Sequence, residues 1–237
     1  TLFPYTTLFR SGKLNIIIRY SRKYYSFLLF MVKTRSFLKW AGNKYNCLQV
    51  ILSHFPRGGR LVEPFTGSGV VFLNTEYSNY LLGEENLDLI RLYRYVQREG
   101  ESFIRYCQKF FVEQNNNAAQ YYYFRDEFNQ TKNLRKKAAL FLYLNRHGYN
   151  GLCRYNHKGV YNVPFGQYVK PYFPSQQLAY FHLRSKNAQF IHSDFRETFK
   201  RVGPNDLIYC DPPYVPLSDT AHFSHYTQKK FTHLDQI

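Results

Sequence analysis

The 237-residue chain carries 32 Lys and Arg against 16 Asp and Glu, a formal charge of +16 that points to a polyanionic partner through counterion release. No apolar run is long enough to cross a bilayer. Cys47, Cys107, Cys153 and Cys210 form no CxxC pair, and neither they nor the eight histidines have zinc-ligand spacing, so no metal is expected and the thiols read as reduced, in a cytoplasmic protein.

Residues 1–30 contain no acid, and Thr1–Ser11 (TLFPYTTLFRS) resembles a translated sequencing-adapter oligonucleotide. Met31 is the only methionine. The native start is therefore expected at Met31, with residues 1–30 a non-native, weakly structured extension. Phe37-Leu38-Lys39-Trp40-Ala41-Gly42-Asn43-Lys44-Tyr45 leads into a short helix ending near His54. Taken alone, Trp40 reads as core. Arg60–Val62 is a predicted strand, and Glu63-Pro64-Phe65-Thr66-Gly67-Ser68-Gly69 a tight loop opening a helix over Val70–Asn74. Two glycines one residue apart, between strand and helix, let a backbone approach a ligand closely. The dinucleotide pattern's third glycine is absent. Tyr80–Leu82 is the next strand, ending at Gly83-Glu84-Glu85-Asn86. An acid at the end of a second strand is where a ribose diol is held; Glu84 is the first candidate and Glu85 its alternative.

From Leu87 to about Gly148 apolar residues recur at helical spacing, too far for a simple crossover, and predict an inserted helical subdomain. Asn115-Asn116-Asn117 reads as a linker. The Gly-, Asn- and Tyr-rich stretch from Asn145 to Tyr172 has a hairpin turn at His157-Lys158-Gly159 and reads as a target-recognition element. Arg154 is its first candidate for base readout, because a guanidinium contacts guanine O6 and N7 bidentately. Phe190–Asp194 is strand-like and ends in an acid. Leu207–Cys210 looks like a buried strand and runs directly into Asp211-Pro212-Pro213-Tyr214. Two prolines stiffen that loop and remove its donors. The Asp211 carboxylate and the Pro212 carbonyl can accept hydrogens from an exocyclic amine, while Tyr214 stacks on its ring. Thr232–Ile237 looks like a helix cut off at its opening, leaving the sheet incomplete at its C-terminal side.

These blocks resemble, in order, motifs X, I and IV of the amino-methyltransferases. With Asn145-Arg146-His147-Gly148-Tyr149-Asn150-Gly151-Leu152-Cys153-Arg154-Tyr155-Asn156 between them, the chain from about Met31 onward resembles the Dam family of GATC-specific DNA adenine methyltransferases. The family has Gly at the position of Asn43, which would place Asn43 in a left-handed turn. It commonly has Asp at Glu84. The resemblance implies S-adenosylmethionine held by Trp40, Ala41, Gly42, Lys44, Glu63, Pro64, Phe65, Gly67, Gly69, Glu84, Asp194, Phe195 and Asp211. It implies catalysis by Asp211, Pro212 and Tyr214. It also implies DNA contacts from Lys39, Tyr149, Asn150, Leu152, Arg154, Asn162 and Pro164, with Tyr149 filling the gap left by a flipped adenine.

The implied fold is α/β: a Rossmann-like S-adenosylmethionine-dependent methyltransferase sheet with an inserted helical and hairpin target-recognition subdomain. Its core would comprise residues 31–86 and 186–237, and its recognition subdomain residues 87–185. The expected function is S-adenosylmethionine-dependent N6 methylation of adenine in duplex DNA, at GATC, by a monomer of bacterial or phage origin. The alternatives are cytosine N4 methylation and a truncated, inactive DNA-binding remnant.

Overall fold

The computed structural model describes residues 33–213 in full and residues 6–11 and 14–19 as backbone strands. Residues up to Thr34 and those from Arg35 onward form separate units. In the first, β1 (Thr6–Ser11) pairs antiparallel with β2 (Leu14–Arg19), Leu8 opposite Ile17 and Phe9 opposite Ile16. Weak structure was expected here. The run of β-branched isoleucines at 16–18 has the strand propensity to account for the pairing.

From Arg35 onward the elements run α1 (Leu48–Ser53), β3 (Arg60–Glu63), α2 (Val70–Leu73), β4 (Asn79–Glu84), α3 (Leu87–Glu99), α4 (Glu101–Gln108), α5 (Ala118–Gln130), α6 (Leu134–His147), α7 (Ser175–Arg184), β5 (Ala188–His192), α8 (Phe195–Phe199) and β6 (Asp206–Ile208). The four strands from β3 onward form one parallel sheet in the order β5-β4-β3-β6. The chain therefore builds outward from β3 through β4 to β5, then returns to the other side of β3. Ligands of open α/β sheets bind where the order reverses, at the carboxyl ends of the strands. Here that place lies between β3 and β6.

Period-2 alternation along the strands feeds two apolar layers. Leu61, Tyr80, Leu82 and Phe190 enter the main core, whereas Val62, Leu81 and Ile191 pack with Val202 in a smaller cluster. Much of the aromatic content is spent in the main core. Tyr93 of α3 stacks on Phe181 of α7 at 4.8 Å between centroids, Phe181 stacks on Phe190 of β5 at 5.6 Å, and Phe37 meets both Tyr93 and Phe181 edge-on. Such pairs add about 0.5–1.5 kcal/mol each beyond area burial.

Helix starts follow local chemistry. Asn86, Asn117 and Asn133 each accept backbone N–H bonds as N-caps of α3, α5 and α6. Helix α6 is buried around its whole circumference from Ala138 to Asn145, which makes it the central helix of the inserted segment. Two elements differ from expectation. Strand β6 is half-exposed rather than buried: it lies at one of the two edges of the sheet among the described residues, and Arg60 holds its Asp206 at 2.9 Å. Helix α7 escaped prediction because it buries only Leu178 and Phe181, too few to mark a helical stripe.

Gly83 of β4 is closely overlain by α8. A Cβ there would lie 2.4 Å from Thr198 Oγ1 and 3.3 Å from the Pro64 carbonyl. Gly83→Ala should therefore destabilise the fold by about 1–3 kcal/mol through overpacking. Urea unfolding checks this, and the double variant with Thr198→Ala should be more stable than the two single losses sum to.

Candidate active site

The catalytic-loop candidate emerges at the switch point. Tyr209 N–H donates to the Val62 carbonyl at 2.9 Å, extending the β3–β6 pairing by one bond and delivering Cys210, Asp211 and Pro212 beside Glu63 and Pro64. Asp211 is partly buried, and the Lys44 ammonium lies 2.6 Å from its Oδ2. Lys44 begins a 3₁₀ turn over Lys44–Asn46. Ala41 and Gly42, at the start of this segment, are exposed. The left-handed position belongs to Gly42 (φ +72°), not to Asn43, whose φ of −55° is ordinary. The expected strain at Asn43 is thus absent. Its side chain instead caps the 3₁₀ turn, accepting from Tyr45 N–H at 2.8 Å and donating to Ser68 Oγ at 3.1 Å. Ser36 Oγ donates to the Ser68 carbonyl at 2.7 Å, so two residues of this segment are stitched to the glycine loop. Tyr214 lies outside the described residues.

Gly67 is gripped on three sides. Its N–H donates to Glu84 Oε2 at 3.0 Å, and its carbonyl accepts from the Tyr93 hydroxyl at 2.5 Å. A Cβ on it would approach Trp40 Nε1 to 3.1 Å, and its φ of +48° already favours glycine. Gly69 (φ +67°) turns the chain into α2. Glu84 Oε1 accepts from Asn86 N–H at 2.9 Å, so the carboxylate spans from the end of β4 to the loop. Burial raises its pKa above the usual carboxylate value despite these donors. Burial also pushes Glu63 up to about 8, partly offset by a Phe72 backbone N–H and reinforced by the nearby Asp211 charge. Glu63 Oε1 is buried and finds no hydrogen-bond partner among the described residues. Tyr93, buried beside both glutamates, has its hydroxyl held in the neutral form by that burial first and the two acids second.

Phe65, after β3, stacks on Phe195, after β5, at 5.2 Å. Asp194 accepts from Arg196 N–H at 2.9 Å as the N-cap of α8 and pairs with the Arg196 side chain. It therefore sits at the carboxyl end of the sheet with a structural task of its own.

The DNA-contact candidates gather on the loop and hairpin after α6. Tyr149 is 51% exposed, Asn150 adopts a left-handed φ of +51°, and Leu152 is half-buried. Arg154 is exposed. Its Nε donates to Asn162 Oδ1 at 2.9 Å and a terminal nitrogen to the Asn162 carbonyl at 3.1 Å, which orients the guanidinium across the hairpin closed by Tyr155 and Tyr161. The Pro164 carbonyl accepts from Tyr149 N–H at 2.9 Å. Lys39 joins this group: its Nζ donates to the Arg146 carbonyl at 3.2 Å and lies 3.4 Å from the Tyr168 ring centroid. Burial, then the Arg146 charge, lowers Lys39 to about 8.

Three residues here were missed from sequence. Tyr168 carries the Lys39 contact, and its hydroxyl accepts from Asn150 N–H at 3.0 Å; no pattern marks it. Asn116, expected in a linker, donates to the carbonyls of Tyr168 at 2.8 Å and Val169 at 3.0 Å and so holds the loop. Asn145 is fully buried near the end of an otherwise apolar helix face, which is the signal that a partner must exist. His147 is not a catalytic base candidate: burial lowers it to about 4, and its ring stacks on Tyr143 at 3.9 Å.

Among the described residues no group of three or more His, Cys, Asp or Glu could hold a metal, and no helix is long and apolar enough to cross a membrane. The family model of the D12 class N6 adenine-specific DNA methyltransferases matches residues 40–237. The chain is 48% identical to the DNA adenine methylase of Serratia marcescens over 206 residues, which is 87% of this chain and 76% of that protein. It is 49% identical to that of Escherichia coli K12 over 202 residues, 85% of this chain and 73% of that protein. It is 48% identical to that of Vibrio cholerae O395 over 206 residues, 87% of this chain and 74% of that protein. A parallel sheet reversing at the glycine loop and Asp211, together with a family match over most of its length, establishes that this chain belongs to the D12 class N6 adenine-specific DNA methyltransferase family.

Proposed function

We propose that this chain methylates adenine N6 within GATC sites of duplex DNA, using S-adenosylmethionine, as a monomer in the bacterial cytoplasm. The observation that carries the reading is the Lys44–Asp211 pair at 2.6 Å, which brings the Trp40–Lys44 segment and the Asp211 loop into one crevice at the strand switch point. The adenine-specific family match leaves the cytosine alternative without support.

The residues fit the cofactor. Glu63 offers a buried, unpartnered carboxyl oxygen to a cationic group. Glu84 accepts from the backbone N–H groups of Gly67, Asn86 and Glu85, and a carboxylate has about four acceptor sites, so capacity for a ribose hydroxyl remains. Trp40 borders the Gly67 loop, and Phe65 and Phe195 stack on each other after β3 and β5. S-adenosylmethionine supplies an electrophilic methyl on a sulfonium. Asp211 and the Pro212 carbonyl accept the two hydrogens of the exocyclic amine, drawing them from the ring plane and returning lone-pair density to nitrogen. Tyr214 is assigned the ring face of the flipped base. Holding amine and methyl donor in one crevice converts a bimolecular encounter into an oriented step. Arg154, splinted by Asn162, is assigned a guanine of the site, and Tyr149 the vacated place in the stack.

Asp211→Ala should reduce tritiated-methyl incorporation into a GATC duplex at least about a thousandfold, while retaining DNA affinity. Unchanged turnover would remove the mechanism, and equal incorporation into a duplex lacking GATC would remove the specificity. Arg154→Ala should narrow the preference for GATC over a duplex with its guanine replaced by about 1–3 kcal/mol, roughly fivefold to 150-fold, read as a ratio of kcat/KM values.

Glu63 sets a pH dependence. In the unfolded chain its carboxyl ionises at the ordinary value near 4.5, whereas in the fold it stays protonated up to about 8. The folded state binds more protons between these values, so Glu63's contribution to stability is full below about 4.5 and is lost as pH rises to about 8. Urea midpoints measured across this range should decline less steeply in Glu63→Gln; an identical decline would contradict the assignment.

A further inference from the structure

We propose that Asn145 is a positioning residue that couples the cofactor seat to the DNA-reading loop. This deepens the function proposed above and rests on it. The Asn145 carboxamide engages both polar groups of the Lys39 backbone: Lys39 N–H donates to Oδ1 at 2.9 Å, and Nδ2 donates to the Lys39 carbonyl at 2.7 Å. Nδ2 also lies 3.4 Å from the Gly151 carbonyl, in the turn that carries Tyr149 and Asn150. A side chain here does the work of a neighbouring strand, and it does so while 1% exposed.

The arrangement matters because of what adjoins each end. Lys39 is followed directly by Trp40, whose indole nitrogen borders Gly67 of the cofactor loop. On the other side, the Lys39 ammonium packs on the Tyr168 ring, and the Tyr168 hydroxyl accepts from Asn150 N–H. Gly151 packs so tightly on Lys39 that a Cβ there would lie 2.1 Å from Lys39 Cβ. One peptide, Lys39–Trp40, is therefore shared by both sites, with Asn145 bonding it to the second. Each ligand bears on this one segment, so the position that the first ligand favours is the one the second meets. The two affinities must then rise together, by the same factor.

The test uses the full chain, with S-adenosylhomocysteine and a GATC duplex as probes. The dissociation constant of each is measured with and without a saturating amount of the other, in wild type, Asn145→Asp and Gly151→Ala. Asn145→Asp keeps the acceptor for Lys39 N–H and removes the donor to the two carbonyls. Gly151→Ala keeps the Asn145 side chain but wedges its Gly151 partner away from Lys39, a second way of breaking the link should the first variant not fold. The expected result is a coupling factor of tenfold or more in wild type, falling below threefold in the variants, with the single-ligand affinities of Asn145→Asp within threefold of wild type. The kcat should drop with little change in either KM. A wild-type factor near one overturns the proposal, as does an unchanged factor in a folded variant. So does a loss of both single-ligand affinities with the factor intact, which marks a merely structural residue. Absence of methyl transfer and of binding in the wild type would instead defeat the functional reading itself.

Discussion

The peptide of Gly67 is the point on which this site depends. Its N–H is taken by Glu84 from the end of β4, and its carbonyl by Tyr93 from α3. Each bond is ordinary in net worth, about 0.5–1.5 kcal/mol, or somewhat more where a carboxylate accepts. Together they remove the loop's freedom, because neighbouring strand and overlying helix hold the two peptide groups that flank one glycine. The glutamate expected to hold a ribose thus also shapes the loop beside it, and the tyrosine reaches the loop from a ring stack in the core.

From that fixed loop the rest of the crevice follows. Ser68 ties back to Ser36 and Asn43, so the segment carrying Trp40 and Lys44 folds over the glycines. Lys44 in turn meets Asp211, delivered by β6 from the far side of β3. Three stretches remote in sequence meet because the strand order reverses between β3 and β6. An acid at the end of β5, two strands from β3, would emerge farther from this loop.

Asparagine does much of the remaining alignment. Asn86, Asn117 and Asn133 start helices; Asn116, Asn145 and Asn162 tie loops to one another through backbone groups or Arg154. A carboxamide both donates and accepts without charge, so it can replace a missing strand neighbour without the desolvation penalty of an ion. The recognition hairpin, with only isolated bridges between its arms, relies on such side chains in place of a ladder.

The local conformation around the site was legible in the sequence. Strand ends, the Gly67–Gly69 turn, the helix opening at Val70 and the proline-stiffened Asp211 loop are written in contiguous residues, since turn and strand preferences act over a few positions. The hairpin at 157–159 was legible for the same reason. What could not be read were choices made by neighbours: that Gly42 and not Asn43 takes the left-handed turn, that β6 lies at an edge of the described sheet, that Asn116 is an anchor, and that Lys39 shares its peptide with Asn145, 106 residues away. Side-chain bonds over such separations leave no periodicity in the chain. By itself the sequence determined the strand–turn–helix units and offered candidates for binding an amine, a ribose or a guanine; only the tertiary structure decided which of them meet, because the reversal of strand order and a few buried carboxamides act across distances that local propensity does not encode.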